Sequence, residues 1–440
     1  MIQLSAQRRD QIIDALRRGT VPSSNLDAFA VGLSRFETAI DDELQKVAAG
    51  GSMFKAVRGD YGCGKTFFAR WLADTARRRG FATSEVQVSE TETPLHKLET
   101  VYRRLNERLA TADTSSGALR NVVDGWIYVL EEDILAEGKV DPNDQAAVTA
   151  AATELMEKRL AVVTRDSPMF GAAIRGYRQA QLRGEAAIAE GILAWLAGQP
   201  NVSAAAKRAA GVKGDLDHFG AFTFLQGILC ILRDAGHSGL LVILDEVETI
   251  QRVRSDVRDK SLNAIRQLID EIDAGRFPGL FLVITGTPAF YDGPQGVRRL
   301  EPLAQRLHVD FQTNEMFDNP RAVQIRLPAF NFERLVSVGQ KVRDIYLSHC
   351  KAPDRILQLC DDSYIDWLAK SVAGKLGGKV GVAPRIFLKK LVADVLDRVD
   401  QHEFFDPRKD YVLMIGDIEL NLIERHAMAG TDVNEIELEL

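Results

Sequence analysis

Two unbroken apolar runs dominate the hydrophobic pattern of the chain. Leu240-Leu241-Val242-Ile243-Leu244 ends in the acids Asp245 and Glu246, and Leu280-Phe281-Leu282-Val283-Ile284 ends in Thr285-Gly286-Thr287-Pro288. Short apolar runs of this kind read as central strands of a parallel sheet, buried on both faces. Met53-Phe54-Lys55-Ala56-Val57-Arg58 is a further strand that runs into a cluster of glycines, and Glu85-Val86-Gln87-Val88-Ser89 is the next. Helical patterns occupy Arg8 to Arg18 and Arg35 to Ala48, with Val21-Pro22-Ser23-Ser24-Asn25 as the break. Others follow the glycines, from Phe67, and span Lys260 to Ala274.

Residues 95–235 are rich in alanine, leucine, arginine and glutamate, where helix formers predominate. They read as a helical insertion carrying the partner-specific part, or as helices that thicken the core. The division expected is a helical segment over 1–50 with adenine-side residues and a sheet core over 51–330 interrupted by the insertion. An all-helical lid over 331–402 and an acidic tail over 403–440 follow. The tail ends Val433-Asn434-Glu435-Ile436-Glu437-Leu438-Glu439-Leu440, an alternation that fits an edge strand or a solvated end for a basic partner. Strands alternating with helices give an α/β fold with a parallel sheet.

The strand-to-helix junction carries the chemistry. Gly59-Asp60-Tyr61-Gly62-Cys63-Gly64-Lys65-Thr66 is G-x-x-x-x-G-K-T between a strand and a helix that opens at Phe67, the context a phosphate-binding P-loop requires. Its glycines let successive backbone N–H groups face phosphate oxygens, where a Cβ would block the approach. Lys65 adds a charge, the Thr66 hydroxyl can ligate Mg²⁺, and the helix N-terminus favours the anion. An ordinary glycine turn is the bland alternative. Asp245 stands where the Mg²⁺ shell needs a carboxylate, and Glu246 where a group can orient and polarise water. Alternatively, both acids simply favour the start of the following helix.

Other candidates are less specific. Thr285, or else Thr287, falls at the strand tip where AAA+ ATPases hold the attacking water, although threonine is also an ordinary strand residue. Arg306 in Pro302-Leu303-Ala304-Gln305-Arg306-Leu307 offers a finger for a neighbouring subunit's γ-phosphate, with Arg298 and Arg299 as rivals. Arg385, after Gly381-Val382-Ala383-Pro384, opens an apolar helix from which it would point back to the nucleotide, unless the stretch is only helix-start punctuation. Val31 and Gly32 fall where AAA+ chains surround the adenine, and Ser89 or Glu90 would approach the γ-phosphate.

Together these residues resemble the BrxD family, the ATP-binding proteins of bacteriophage-exclusion (BREX) defence systems. These are AAA+ ATPases related to origin-recognition and STAND-type ATPases. The carrying stretches are Ala15 to Pro22, the P-loop, Glu85 to Leu95, Leu244 to Ile250, Thr285 to Gly293 and Ala383 to Leu388, in family order over roughly residues 5 to 400. The resemblance implies a P-loop NTPase, AAA+-like, with ATP and Mg²⁺ as cofactors and a role in phage defence beside a helicase and a methyltransferase system. Cys63 departs from the serine or small residue common at its position, which leaves binding intact; it is either a neutral small residue there or a site that makes the loop sensitive to oxidation.

Composition narrows the remaining choices. With 440 residues, 46% of them apolar, the chain can bury two cores, and length alone suggests two to three domains. Net charge is −7 from 55 basic and 62 acidic residues, so no global field draws the chain to nucleic acid, and DNA contact must come from a local patch or a partner. Cys63, Cys230, Cys350 and Cys360 lack C-x-x-C spacing, so neither a disulfide frame nor a zinc site is indicated. No signal peptide opens the chain and no apolar run reaches the roughly 20 residues of a membrane helix, which places it in the cytoplasm and off the membrane.

Three functions stay open. One is an ATPase that hydrolyses ATP between subunits of a homo-oligomer and remodels a DNA-bound defence complex. A second is a nucleotide-gated switch with slow turnover that holds a partner, and the third is an origin-recognition-like DNA-binding ATPase. An intact Glu246 favours the first. The acidic balance and a tail short for a winged helix count against the third, and the lack of an N-K-x-D motif after the D-E strand counts against a GTPase.

Overall fold

The computed structural model describes residues 5–312, 314–378, 381, 383–420 and 422–429. Five strands form one all-parallel sheet in the order β2-β3-β4-β1-β5: β1 Met53–Arg58, β2 Ala82–Gln87, β3 Leu240–Asp245, β4 Leu280–Gly286 and β5 Gln324–Arg326. Every residue of β3 and β4 is buried, as continuous apolar runs in a doubly covered sheet require. Arg58 pairs with Gly286 and Gln87 with Asp245, so the register gathers the carboxyl ends of four strands at one edge of the sheet.

Two elements begin earlier than their patterns suggest. The second strand starts at Ala82 rather than Glu85, because Thr83 and Ser84 are buried with their polar groups matched. The Ser84 hydroxyl donates to the Leu105 carbonyl at 2.8 Å, and Thr83 bridges Ala110. The helix expected from Lys260 spans Ser255–Asp273, its first turn being polar and without an apolar stripe.

Period-two alternation sends side chains to two different cores. Ala56, Val242, Leu244, Leu282 and Ile284 face one layer, with the helices of residues 95–235 packed over them. In chain order, α1 is Ala6–Arg17, α2 Ser34–Ala48, α3 Lys65–Arg78 and α4 Leu98–Glu107. They are followed by α5 Leu119–Ala136, α6 Gln145–Arg159, α7 Ala161–Asp166, α8 Pro168–Leu182, α9 Ala186–Leu196, α10 Ala204–Ala210 and α11 His218–Asp234. Phe224 of α11 is the hub of this layer. Its ring meets Tyr102, Phe170 and Trp195 edge-on at 6.1, 5.3 and 5.4 Å, drawing α4, α8 and α9 together. Gly227, one turn on, makes room for Phe170, whose ring would lie 2.4 Å from any Cβ there.

The opposite face, with Val57, Leu241, Ile243, Phe281 and Val283, packs on α2 and α3 and shares its core with helices from after the sheet. Past α12 (Ser255–Asp273), α13 (Pro288–Asp292) and α14 (Glu301–Leu307) come α15 (Phe332–Leu347), α16 (Pro353–Leu359) and α17 (Asp362–Lys375). The helix α18 (Pro384–Lys389) continues through a π-helical stretch, Lys390–Leu396, into α19 (Asp397–Gln401). The N-terminal helix α1 packs against α15 and α18, tied there by Arg17, which donates to both Asp397 carboxylate oxygens at 2.6 and 2.9 Å. Two short helices follow, α20 (Pro407–Asp410) and α21 (Leu422–Met428). The acidic alternation over 433–440 lies outside the described residues, as does Val382.

A buried ion pair interrupts the second core. Lys55, in the middle of β1, is 1% exposed and ion-paired with Glu43 of α2 at 2.6 Å, with the Pro320 and Ala322 carbonyls accepting two more bonds. Burial pushes the lysine pKa down and the glutamate pKa up, and each is opposed by the other's charge.

Candidate functional site: a phosphate-binding cleft

The glycine loop after β1 turns because Gly62 (φ 81°) and Gly64 (φ 93°) occupy the left-handed region. Gly59 is required for a different reason: a Cβ there would lie 2.3 Å from the Cys63 sulfur. The loop delivers Lys65 and Thr66 into the first turn of α3, and the Lys65 ammonium donates to the Gly59 and Asp60 carbonyls at 2.8 and 3.3 Å. Cys63 is buried beneath the loop, where loss of solvent pushes its thiol up to about 11. A neutral, enclosed thiol is a poor nucleophile, so this geometry favours the neutral small residue over a site of oxidation.

Strand register supplies the acids. Asp245 at the tip of β3 accepts from the Thr66 hydroxyl at 3.1 Å and, with its other oxygen, from the Thr285 hydroxyl at the tip of β4. The same Thr285 oxygen accepts from the Glu246 backbone N–H at 3.2 Å, and Thr285 is fully buried. Glu246 itself takes a left-handed conformation (φ 59°), uncommon for a residue with a side chain and frequent where strain serves a site. Its carboxylate accepts from the Gln87 amide of β2 at 2.8 Å.

Above these groups lies a cleft of ≈ 410 Å³, within the range of small-molecule sites. At one end it is lined by Tyr61, Gly62, Gly64, Lys65, Thr66, Glu246, Glu248 and Arg252. The other end is apolar and comes from distant parts of the chain: Leu16, Pro22, Phe29 and Val31 before the P-loop, Phe330, Val338 and Leu388 after the sheet. Phe67, which also lines the cleft, packs edge-on against Phe29 at 5.2 Å. A cleft of this volume that joins a P-loop lysine to apolar side chains fits a nucleotide.

The residues also fit a divalent cation. Thr66 and Asp245 offer one hydroxyl and one carboxylate, and Mg²⁺ characteristically takes few protein ligands and fills the rest with phosphate and water. Among the described residues no group of three or more His, Cys, Asp or Glu is gathered to hold a metal alone.

Most of the expected residues meet here. Val31, Tyr61, Gly62, Gly64, Lys65, Thr66, Phe67, Glu246 and Arg385 line the cleft, Gly59 and Asp60 hold Lys65, and Asp245 and Thr285 lie beneath Thr66. Others do not. Gly32 faces Arg334 and a shallow groove on the outside. Ser89 is turned inward on its own loop, accepting from the Glu92 and Thr93 N–H groups, and with Glu90 it borders a separate small cavity. Thr287 starts α13 rather than facing the cleft. Arg306 on α14 pairs with Asp270 of α12 at 2.6 Å, away from this chain's own cleft, and Arg299 pairs with Asp259.

Sequence reasoning missed several lining residues. Glu248 is 5% exposed, both its carboxylate oxygens lack a hydrogen-bond partner, and one lies 3.8 Å from the Lys65 ammonium. Burial raises its pKa, with Lys65 opposing the shift. Its signal was the third acid in Asp245-Glu246-Val247-Glu248, two residues past the strand-end pair in a 3₁₀ turn. Glu424 of α21 is 2% exposed, lines the cleft and accepts from Arg385 Nε at 2.8 Å. Nothing in the local sequence announces it.

Residues 4–414 match the family described as BREX system ATP-binding protein BrxC/D. The chain belongs to that family. As its members do, it binds ATP and is part of the BREX anti-phage defence system, which implies association with other BREX proteins. No curated protein matches it. Among the described residues no helix is long and apolar enough to cross a membrane.

Proposed function

We propose that this BREX protein is of the BrxD type and a Mg²⁺-dependent ATPase that remodels or regulates a DNA-associated defence complex with helicase and methyltransferase partners. The observation that supports hydrolysis best is the chain of contacts from Thr66 to Asp245 to Thr285 to the Glu246 backbone, which ties a general-base candidate rigidly to the P-loop. Thr66 and Asp245 would hold Mg²⁺, which would neutralise phosphate charge when bound. Lys65 leaves the Gly59 carbonyl for the phosphates, Glu246 orients water and takes its proton, and Thr285 fixes the strand-end geometry on which that alignment depends. Phe29, Val31 and Phe330 clasp the base. Arg385 reaches the phosphates from the lid, and Arg306 acts on a neighbouring subunit's nucleotide in a homo-oligomer, having first left Asp270. The helices of residues 95–235 carry the partner surface, with Phe219, Val162 and Tyr128 exposed on them.

A nucleotide-gated switch with slow turnover is the second reading, favoured by the Gln87 amide, which holds the Glu246 carboxylate. Hydrolysis by wild type and Glu246→Gln across protein concentration, with and without duplex DNA, separates the two. A rate per subunit that climbs with concentration and collapses in the variant marks a shared-site ATPase. A slow rate indifferent to both marks the switch.

A further inference from the structure

Two buried carboxylates line the cleft, and each sits on a cation that a triphosphate needs. Glu248 lies 3.8 Å from the Lys65 ammonium, with neither oxygen engaged in a hydrogen bond. Glu424 takes the Arg385 guanidinium, whose second nitrogen also donates to the Glu419 carbonyl. The two acids come from unrelated places: Glu248 from the 3₁₀ turn after β3, Glu424 from α21, beyond the lid helices. Arg385 also lies beside Gly19, where a Cβ would come within 3.3 Å of a guanidinium nitrogen, and its donors are taken by Glu424 and the Glu419 carbonyl.

A buried anion beside a nucleotide's phosphates is unfavourable to binding unless its charge is matched elsewhere. Here the matching cations are the phosphate ligands themselves. We infer that Glu248 and Glu424 are resident counter-anions of Lys65 and Arg385 in the nucleotide-free protein, Glu248 by charge alone and Glu424 by hydrogen bonds, and that the triphosphate competes with them for these cations. This rests on the nucleotide reading of the cleft and adds two positioning residues to it. It also links the cleft to the chain end. The segment bearing Glu424 is held by Arg385, and by Lys389 and Lys390, which pair with Glu419 at 2.9 and 2.8 Å. A triphosphate that captures Arg385 removes one of these ties and loosens the segment, whereas a diphosphate, lacking the terminal group, leaves it closer to its resting state.

The test is binding of AMP-PNP and of ADP, each with Mg²⁺, to full-length wild type, Glu248→Gln, Glu424→Gln and the double variant. Each single variant should bind AMP-PNP about tenfold more tightly than wild type, a usual size for coupling between two ligands of one site, and the double variant more tightly still. ADP should gain less in Glu424→Gln than AMP-PNP does. In steady state the gain appears as a lower KM. A merely structural role would instead weaken binding.

Trypsin cleavage after Arg425 in wild type gives a readout that needs no variant: AMP-PNP should accelerate it and ADP should not. Unchanged or weaker AMP-PNP binding in both variants overturns the inference, and a gain at one carboxylate alone removes the other from it. Cleavage unaffected by AMP-PNP overturns the link to the chain end. Wild type that binds neither nucleotide defeats the underlying nucleotide reading instead, so the two failures are distinct.

Discussion

At the phosphate end of the cleft, Lys65, Thr66, Asp245 and Thr285 come from the tips of neighbouring parallel strands or the loop beside them, and ladder register fixes their spacing. At the opposite end, Leu16, Phe29, Phe330, Val338 and Leu388 meet only because α1, α15 and α18 pack into one core over the sheet. The first end is rigid and polar, with its polar atoms bonded to one another. The second is a set of apolar side chains from three helices and, for Phe29 and Phe330, from connecting segments, held by side-chain packing and by ties such as Arg17 to Asp397. Strand ladders resist shear, whereas packed helices can slide past one another, so the two ends of the cleft differ in how they are held.

Five substitutions break or sharpen that contrast. Lys65→Ala, at the rigid end, should abolish ATP binding by calorimetry, and retained tight binding would undo the P-loop reading. Glu246→Gln should keep binding but lower the hydrolysis rate by about 10²–10⁴, the usual worth of a general base. Arg306→Ala should slow turnover by roughly 10³ with little change in affinity if it serves a neighbouring subunit, and a rate that barely moves removes it from the site. Lys55→Ala leaves Glu43 buried without its partner under β1, and should cost about 3–5 kcal/mol of stability in urea unfolding. Phe330→Ala, at the helical end, should weaken ATP by only about tenfold, in line with one aromatic contact to a base, and leave kcat alone. An equal loss of kcat there would mean the two ends are mechanically one.

Much of the rigid end was legible because its signals are local. An apolar run long enough for a strand, followed by glycines and Lys-Thr or by two acids, specifies both an element and what stands at its tip. Thr285 could be placed for the same reason, as the first polar residue after an apolar strand. Gly32 and Ser89 misled because a turn residue near a motif in sequence can point either way, and here one faces Arg334 and the other its own loop. The early start of β2 was hidden since Thr83 and Ser84 look like loop residues until a neighbouring carbonyl accepts the serine hydroxyl. Lys55 could be read as part of a strand, but its burial depended on a glutamate twelve residues upstream on another element.

The sequence by itself determined the class of fold, the P-loop, the acids at the end of β3 and therefore the anion that the protein binds. Those features follow from short-range rules: backbone freedom at glycine, period-two burial, and the charge a phosphate requires. Only the tertiary structure decided that Glu248 faces Lys65, that Glu424 meets Arg385, and which apolar residues line the cleft. Such pairings are set by how helices far apart in sequence pack over a common sheet, and the residues themselves carry no periodicity that encodes their partners.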